Sequence, residues 1–284
     1  MNNRPLSSLK VLDFSTLLPG PYATLMLADM GATVLKVESP TRPDLVKVLP
    51  PMVDGGSAAD HYLNRNKQSV ALDLKQPESI EIVKKLIKEY DIVVEQFRPG
   101  VMKRLGLDYE TLKQVNPNLI YCSITGYGQT GPYLNRAGHD LNYLAIAGTA
   151  SYTGRKESGP LPLGVQLADL AGGSHHAVMG ILAANIQRLT TGTGQHIDIS
   201  MTDAAFALNG MSGAASLASG QDSQVEKDWL NGGSFYDYYQ SQDGRYFSVA
   251  GLEPAFITNL ANALDEPKLL RLVSMSDAKV QQEL

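Results

Sequence analysis

Three side chains in this sequence have the types and settings that proton transfer or nucleophilic catalysis needs. His139 follows a glycine in the segment AGHD at 137–140, where a strand is expected to lead into a helix, and α/β folds bind ligands at such connections. Asp169 precedes a pair of glycines at the expected start of a helix rich in small residues. Glu253 precedes a proline that favours the first turn of another helix. An imidazole with carboxylates can remove and return a proton.

Each of these residues also has an ordinary structural interpretation. His139 could cap a helix or be buried, Asp169 could be a helix N-cap, and Glu253 could be an acidic residue in a first helical turn. The glycines after Asp169 favour a functional interpretation there. They would leave room for a ligand and expose backbone N–H groups able to hold an anion or a developing oxyanion.

Other patterns are discounted. The segment GYGQTG at 126–131 matches a dinucleotide-binding pattern. However, a proline follows it directly, and it is not followed by a βαβ unit with an acidic residue to bind the ribose. His175 and His176 are adjacent, so on a helix they point about 100° apart and suit a metal poorly. His61 and His196 are isolated. We predict packing or surface roles for these four histidines, and no metal.

The composition limits the class of protein. The chain has 284 residues, a net charge of -5 and 43% hydrophobic residues, which gives no support to nucleic-acid binding. Its one cysteine, Cys122, lies in an apolar run and is expected to be a buried thiol. No signal peptide or run of about 18 apolar residues is apparent. We expect a cytoplasmic protein with no membrane partner.

Alternation of strands and helices predicts the fold. A Rossmann-like, open, mostly parallel α/β sheet is expected for residues 1–220, and a smaller α+β domain for 221–284, after a polar boundary near 221–232. In the smaller domain a hairpin is predicted. The predicted strands are 11–14, 33–37, 91–95, 119–125, 196–199, 235–239 and 246–250, and the predicted helices are 22–30, which the PGP segment at 19–21 precedes as a break, 79–90 and 170–189.

The motifs around the three candidate residues resemble those of the family that contains the α-methylacyl-CoA racemases and the class III CoA-transferases, with the racemases the nearer branch. The similarity covers nearly the whole chain. Its segments are VLDFSTLLPGPYATLMLADMGATVLKVE at 11–38, NRNKQSVALDLK at 64–75, VEQFRPGVMKRLGLDYETL at 94–112, GYGQTGP at 126–132, AGHDLNY at 137–143, LADLAGG at 167–173, GTGQHIDISMTD at 192–203 and GLEPAF at 251–256.

That resemblance implies chemistry on a coenzyme A thioester. In the racemase branch, Asp169 and His139 would exchange the α-proton, with Glu253 paired to the histidine. In the transferase branch, Asp169 would be a nucleophile that forms an anhydride and then an enzyme-bound thioester. The resemblance also implies that the transferase branch usually has an aromatic residue in place of the histidine and a longer glycine run as a lid, whereas this sequence has His139 and only Gly232–Gly233. Both differences favour the racemase, and a non-catalytic coenzyme A-binding protein is the third possibility.

The resemblance also implies the binding residues and partners. Coenzyme A, as part of the substrate, is the only cofactor expected, and an interlocked homodimer is expected to form the site between the large domain of one subunit and the small domain of the other. Chains of the family continue past the small domain, whereas this sequence ends at Leu284, so that domain is expected to be incomplete. The implied coenzyme A contacts are Leu72, Asp73, Leu74, Lys75, Gln96, Phe97, Arg98, Arg104, Ala137, Gly138 and Asp140, with Arg65, Lys67 and Lys103 as further cations.

Overall fold

The computed structural model describes residues 4–273. These residues fold into two compact units. The first unit runs through Ile146 and includes Gly164–Leu208, and the second contains Ala147–Leu163 and the chain from Asn209 onward. The predicted division at 220 differs from this grouping, because segment 147–163 and the helix just before 220 join the second unit. None of the described helices has the length and apolar character that crossing a membrane requires.

The first unit contains one parallel sheet of six strands, as the sequence predicts. The strands are β1 (Lys10–Asp13), β2 (Thr33–Glu38), β3 (Lys67–Ala71), β4 (Ile92–Glu95), β5 (Ile120–Thr125) and β6 (His196–Ser200). Their spatial order is β6-β5-β4-β1-β2-β3. This is the doubly wound order of nucleotide-binding folds, in which ligands bind outside the carboxyl ends of the strands where the order reverses. Here the reversal lies between β1 and β4.

Helices cover both faces of this sheet. The helices of this unit are α1 (Pro19–Asp29), α2 (Ala58–Asn64), α3 (Pro77–Ile87), α4 (Val101–Leu105), α5 (Tyr109–Leu112), α6 (Asp140–Ile146), a π-helix (Ala168–His175), α7 (His176–Thr191) and α8 (Met201–Leu208), with a 3₁₀ turn at Leu45–Val48 and a short hairpin of Met52–Val53 with Gly56–Ser57. On one face of the sheet Leu12, Val93 and Tyr121 form a core with side chains of α3, α4 and α5. On the other face, α7 approaches β6 so closely that a Cβ on Gly180 would lie 3.0 Å from Cγ2 of Ile197.

Two helical predictions differ from the structure. The segment at 19–21 was expected to precede the first helix, but Pro19 begins α1, since a proline in the first turn removes no helical hydrogen bond. The long helix predicted over 170–189 is π-helical from Ala168 to His175 and becomes α-helical at His176. A π-helix inserts residues into the helical register and is frequent at functional sites. Hydrophobic periodicity does not distinguish it from an α-helix.

The second unit is smaller and contains the predicted hairpin. Strands β7 (Asp237–Gln240) and β8 (Tyr246–Val249) pair antiparallel. A core of Phe235, Ile257, Ala261 and Leu269 lies beside them. The other elements of this unit are α9 (Gly210–Ser219), α10 (Pro254–Leu264), 3₁₀ turns at Thr149–Tyr152 and Pro267–Val273, and the short paired strands Gly154–Arg155 and Gly159–Pro160.

Candidate active site

A buried carboxylate joins the segment that carries His139 to the helix that carries Asp169. The Asp140 side chain, on a residue only 7% exposed, accepts hydrogen bonds from the backbone N–H groups of Ala168 at 2.7 Å and Asp169 at 3.1 Å. Such N–H groups at the start of a helix have no partner within it. Asp140 thus holds the two candidate catalytic segments together, and its coenzyme A contact stays a prediction.

His139 caps a helix through its backbone and leaves its ring exposed. Its carbonyl accepts hydrogen bonds from the N–H groups of Asn142 and Tyr143 in α6, and its own N–H donates to Oδ1 of Asn142 at 3.0 Å, an arrangement like a capping box. The imidazole makes no hydrogen bond with residues 4–273. Capping and catalysis are therefore compatible at this residue, because they use different atoms.

Asp169 is not the N-cap that its sequence context allowed. The cap position is Leu167, and the Asp169 carboxylate makes no hydrogen bond with the described part of the chain. Burial raises the pKa of Asp169 to about 6, the Asp140 charge adds to the rise, and His139 lowers it. His139 therefore lies near enough to interact electrostatically with Asp169. A carboxyl group with a pKa near the working pH suits acid–base chemistry.

Tyr143 organises this site, although no pattern in the sequence indicated a role for it. Its hydroxyl donates to the carbonyl of Gly138 at 2.5 Å. A Cβ on Gly138 would lie 2.6 Å from the Tyr143 ring, and one on Gly126 would lie 2.5 Å from it. Burial raises the pKa of Tyr143 to about 12, and the charge of Asp169 adds to the rise. The packing of Tyr143 therefore requires the glycine before His139. The motif GHDLNY contains both residues, but its spacing does not show that they are in contact.

The glycines after Asp169 do not leave room for a ligand, contrary to the expectation from sequence. A Cβ on Gly172 would lie 3.1 Å from the carbonyl oxygen of Met201, and one on Gly173 would lie 3.0 Å from Cβ of Pro19. Both glycines are buried. They allow α1 and α8 to pack closely on the π-helix, which fixes the position of Asp169.

Glu253 belongs to the second unit, whereas His139 and Asp169 belong to the first. It is the N-cap residue of α10 and makes no side-chain capping bond. Its carbonyl accepts hydrogen bonds from Phe256 at 3.0 Å and Ile257 at 3.1 Å, and the residue is exposed. The predicted pairing of Glu253 with His139 stays a prediction.

Several predicted coenzyme A contacts lie at the carboxyl edge of the sheet. Gln96 follows β4, and its Oε1 accepts a hydrogen bond from the N–H of Gly20 at 2.9 Å. This bond joins α1 to the turn after β4 at the reversal of strand order, where the fold predicts a ligand. A Cβ on Gly20 would lie 2.2 Å from Cβ of Ser15, so only glycine fits there.

The other predicted contacts include partly buried side chains and exposed cations. Leu72, Leu74 and Phe97 pack on the core, and Asp73 accepts hydrogen bonds from the Lys75 N–H and the Gln76 side chain. Ala137 is exposed in the loop before α6. The exposed cations available for phosphates are Lys75, Arg98, Lys103 and Arg104.

Two of the other proposed cations are occupied. Lys67 was expected to face phosphate, but its side chain is 2% exposed and its Nζ lies 3.5 Å from Oδ2 of Asp13. It also donates to the carbonyl of Pro21 at 2.8 Å, and burial lowers its pKa to about 8. Arg65 pairs with Asp29 at 2.5 Å. The buried Lys67 side chain therefore stabilises the first unit through Asp13 and Pro21 and does not face a ligand.

The discounted residues have packing roles. Cys122 is buried, as expected, and burial raises the pKa of its thiol. His61 Nε2 lies 3.0 Å from the carbonyl oxygen of Val53, His176 Nδ1 lies 2.7 Å from that of Ala171, and the His175 ring meets the edge of Tyr22.

Known proteins resemble this chain in sequence over most of its length. The family model described as CoA-transferase family III matches residues 6–284. The chain belongs to CoA-transferase family III. This family III chain is 39% identical to the human succinyl-CoA:glutarate CoA-transferase over 277 residues, covering 95% of this chain and 62% of that protein. It is 37% identical to the human alpha-methylacyl-CoA racemase over 277 residues, covering 96% of this chain and 68% of that protein.

A solved structure of this family has the same fold. The CAIB/BAIF family protein from Brucella suis superposes with a TM-score of 0.85 at 35% identity, covering 99% of this chain and 76% of that one. A succinate–glutarate CoA-transferase of Agrobacterium fabrum is 42% identical over 73% of this chain and 54% of its own length. The family III chain thus spans 54% to 68% of these three curated relatives. Their names divide between racemase and transferase.

Proposed function

We propose that this family III chain catalyses racemisation at the α-carbon of a 2-methyl-branched acyl-coenzyme A thioester. The observation that carries the proposal is the joining of His139 and Asp169 by Asp140, together with the electrostatic effect of His139 on the Asp169 carboxyl group. Racemisation needs one group that takes a proton and a second that supplies one on the opposite face. A carboxyl group of pKa about 6, and an imidazole near enough to act on it electrostatically, are suited to these two roles.

The proposed reaction proceeds in two proton transfers. The Asp169 carboxylate takes the α-proton, and the C–H electron pair moves into the thioester to form an enolate. The His139 imidazolium then donates its proton to the opposite face, and the electron pair returns to the α-carbon. In the reverse direction neutral His139 is the base and protonated Asp169 the acid. Each such acid or base contributes about 10²–10⁴-fold to the rate.

Two features of the sequence support the racemase over the transferase branch. The segment GHD has a histidine where the resemblance associates an aromatic residue with transferases, and the candidate lid has only Gly232–Gly233. In the second unit, a Cβ added to Gly233 would lie 2.2 Å from the Lys227 backbone. Such close backbone packing suits a fixed turn better than a mobile lid.

A CoA-transferase is the second candidate function. The relatives named as transferases favour it, and the Asp169 carboxylate, free of hydrogen bonds to the described residues, could attack a thioester carbonyl as a nucleophile. In that reaction the aspartyl oxygen forms an anhydride bond while coenzyme A leaves as a thiolate. The thiolate then attacks the aspartyl carbonyl and releases the acyl carboxylate.

Two measurements on the same protein separate the candidates. A racemase incorporates deuterium from D₂O at the α-carbon of 2-methylacyl-coenzyme A without any acceptor acid. A transferase moves coenzyme A to a carboxylic acid, and hydroxylamine converts its aspartyl intermediate to a hydroxamate that mass spectrometry finds on the Asp169 peptide. Inversion at the α-carbon that incorporates deuterium and requires His139, without hydroxamate, supports our proposal. Hydroxamate formation without exchange contradicts it.

A further inference from the structure

A second cluster of polar groups lies in the first unit, on the sheet face opposite α7. Glu95 in β4, Ser123 in β5 and Asp198 in β6 are register partners, so their side chains share that face. Glu95 and Ser123 line a cavity of about 210 Å³ together with His196. Glu95 is 4% exposed and Ser123 1% exposed. The proposed reaction uses none of these four residues.

Hydrogen bonds connect the cluster to the edge of the sheet. Ser123 Oγ lies 3.0 Å from Nε2 of His196, and the Ser123 hydroxyl hydrogen-bonds the Glu95 carboxylate. In a Ser–His–acid triad the acid orients the imidazole, whereas here the acid contacts the serine. The arrangement is therefore a relay from an exposed histidine to a buried carboxyl group, rather than an activated nucleophile.

The inner end of this relay holds the turn that follows β4. Glu95 Oε2 accepts a hydrogen bond from the N–H of Phe97 at 2.8 Å, and Gln96, between them, accepts the N–H of Gly20 across the reversal of strand order. The exposed Arg98 comes next. Glu95 thus determines the path of a segment whose three residues are predicted coenzyme A contacts.

We infer that Glu95 is a positioning residue for coenzyme A, holding the 96–98 turn in its binding conformation, and that Ser123 and His196 connect its carboxyl group to solvent. This inference rests on the proposed function for the identity of the ligand. It does not depend on whether the chain is a racemase or a transferase, because both use a coenzyme A thioester.

The protonation state of Glu95 changes near neutral pH. Burial raises its pKa to about 7, against the opposing effects of the hydrogen bonds from Ser123 and Phe97 and with a further rise from Asp198. Burial lowers the pKa of His196, which favours its neutral form, and a neutral imidazole can accept or donate one hydrogen bond at Nε2. The other ionisable groups that line the cavity are Tyr121 of β5, Arg98, Lys103 of α4, Asp108, and Tyr109 and Glu110 of α5. Cys122 of β5 lies on the opposite face of the sheet and interacts with Glu95 only electrostatically.

The direction in which pH changes coenzyme A binding follows from the strength of the hydrogen bonds to Glu95. Above about pH 7 the ionised Glu95 accepts charge-assisted bonds from Phe97 and Ser123, which are stronger than bonds to a neutral carboxyl group. Below that pH the carboxyl group is protonated and the turn is held less firmly. Binding of coenzyme A should therefore weaken by about five-fold between about pH 8 and pH 6 through this group.

The test follows the turn and the ligand separately in the intact protein. The Phe97 amide is observed by ¹⁵N NMR across this pH range without ligand, and the Kd of free coenzyme A is measured by calorimetry at both ends. The proteins compared are the wild type, Glu95→Gln, Ser123→Ala, and Glu110→Gln as a matched control at an exposed glutamate of the same cavity. Circular dichroism verifies that each is folded.

Wild type and Glu110→Gln should show a Phe97 transition near pH 7 and the five-fold change in Kd. Glu95→Gln should show no transition and bind weakly at both pH values. In Ser123→Ala the midpoint should move upward, because the carboxylate loses a donor, whereas a purely structural role for Glu95 would leave it unmoved. A Phe97 amide that does not titrate overturns the inference. A titrating amide in a protein that binds no coenzyme A overturns the proposed function instead.

Discussion

At the residue scale, Asp140 acts on Asp169 in two ways. Its Oδ1 accepts the N–H of Asp169 and so fixes that residue's backbone. Its negative charge meanwhile adds to the rise in the pKa of the Asp169 carboxyl group. The resemblance identified both residues and implied a coenzyme A contact for Asp140, which stays a prediction, but it did not indicate that the Asp140 carboxylate accepts these backbone N–H groups. A buried acceptor of two backbone N–H groups is a feature of tertiary structure alone.

The pH dependence of the reaction tests this electrostatic role. In the direction in which Asp169 is the base, kcat/KM should rise through about pH 6, because only the ionised carboxylate takes a proton. Asp140→Asn keeps an oxygen for the two backbone N–H groups and removes the charge. The pKa of Asp169 should then fall and the rising limb should move to lower pH. A limb that stays in place, or moves upward, would contradict the role given to Asp140.

The raised pKa of Asp169 also has a cost in stability. Ionising Asp169 is less favourable in the folded chain, where its pKa is about 6, than at the ordinary value of 3.8. The folded state therefore loses stability as pH rises from 3.8 to above 6. At pH 8, Asp169→Asn should raise the free energy of unfolding by about 1–2 kcal/mol after allowance for solvent screening, and the gain should be smaller near pH 4. Denaturant unfolding at the two pH values measures this difference. Asp222→Asn, at an exposed position, is the matched control.

At the scale of elements, the strands and most helices follow from local patterns, whereas the π-helix does not. Alternating apolar runs gave β1, β2 and β4 to within one residue at each end. The hairpin of β7 and β8 also followed, from its turn residues. The π-helix depends on how Gly172 and Gly173 are packed between other helices. Such contacts join residues far apart in sequence, so no local window contains them.

The packing of the π-helix can be tested with one methyl group. Gly173→Ala places a Cβ 3.0 Å from Pro19 and 3.1 Å from Sδ of Met201, which forces α1 or α8 outward. We expect a loss of about 1–3 kcal/mol in the free energy of unfolding, with lower activity because Asp169 shifts. Gly210→Ala is the matched control, since its Cβ meets nothing within 4 Å. Equal stability of the two variants would show that the π-helix is not packed as described.

At the scale of the molecule, the candidate catalytic set is divided between two units. His139 and Asp169 lie in the first unit and Glu253 in the second. The Rossmann-like sheet was predictable because strand–helix alternation allows few topologies. The pairing of Glu253 with His139 came only from resemblance, since a sequence gives no distance between units. We propose that this pairing occurs across a homodimer.

Subunit complementation tests that proposal. If each site takes His139 from one subunit and Glu253 from the other, His139→Ala and Glu253→Gln should each be nearly inactive as homodimers. A heterodimer of the two variants would carry one site with both changes and one with neither. Mixing and refolding equal amounts should restore about a quarter of wild-type activity. Activity no higher than that of the separate variants would exclude a shared site.

The central claim is that Asp169 and His139 transfer the α-proton on opposite faces of the substrate, and variants that lack one of these two groups test it most directly. Deuterium incorporation from D₂O is followed separately in each enantiomer of 2-methylacyl-coenzyme A. With His139→Ala, the enantiomer whose α-proton faces Asp169 should still gain deuterium with retention of configuration, while the other should not exchange. Asp169→Asn should reverse that preference, and neither variant should invert either enantiomer. Racemisation of both enantiomers by His139→Ala, or an identical exchange pattern in the two variants, would contradict the account.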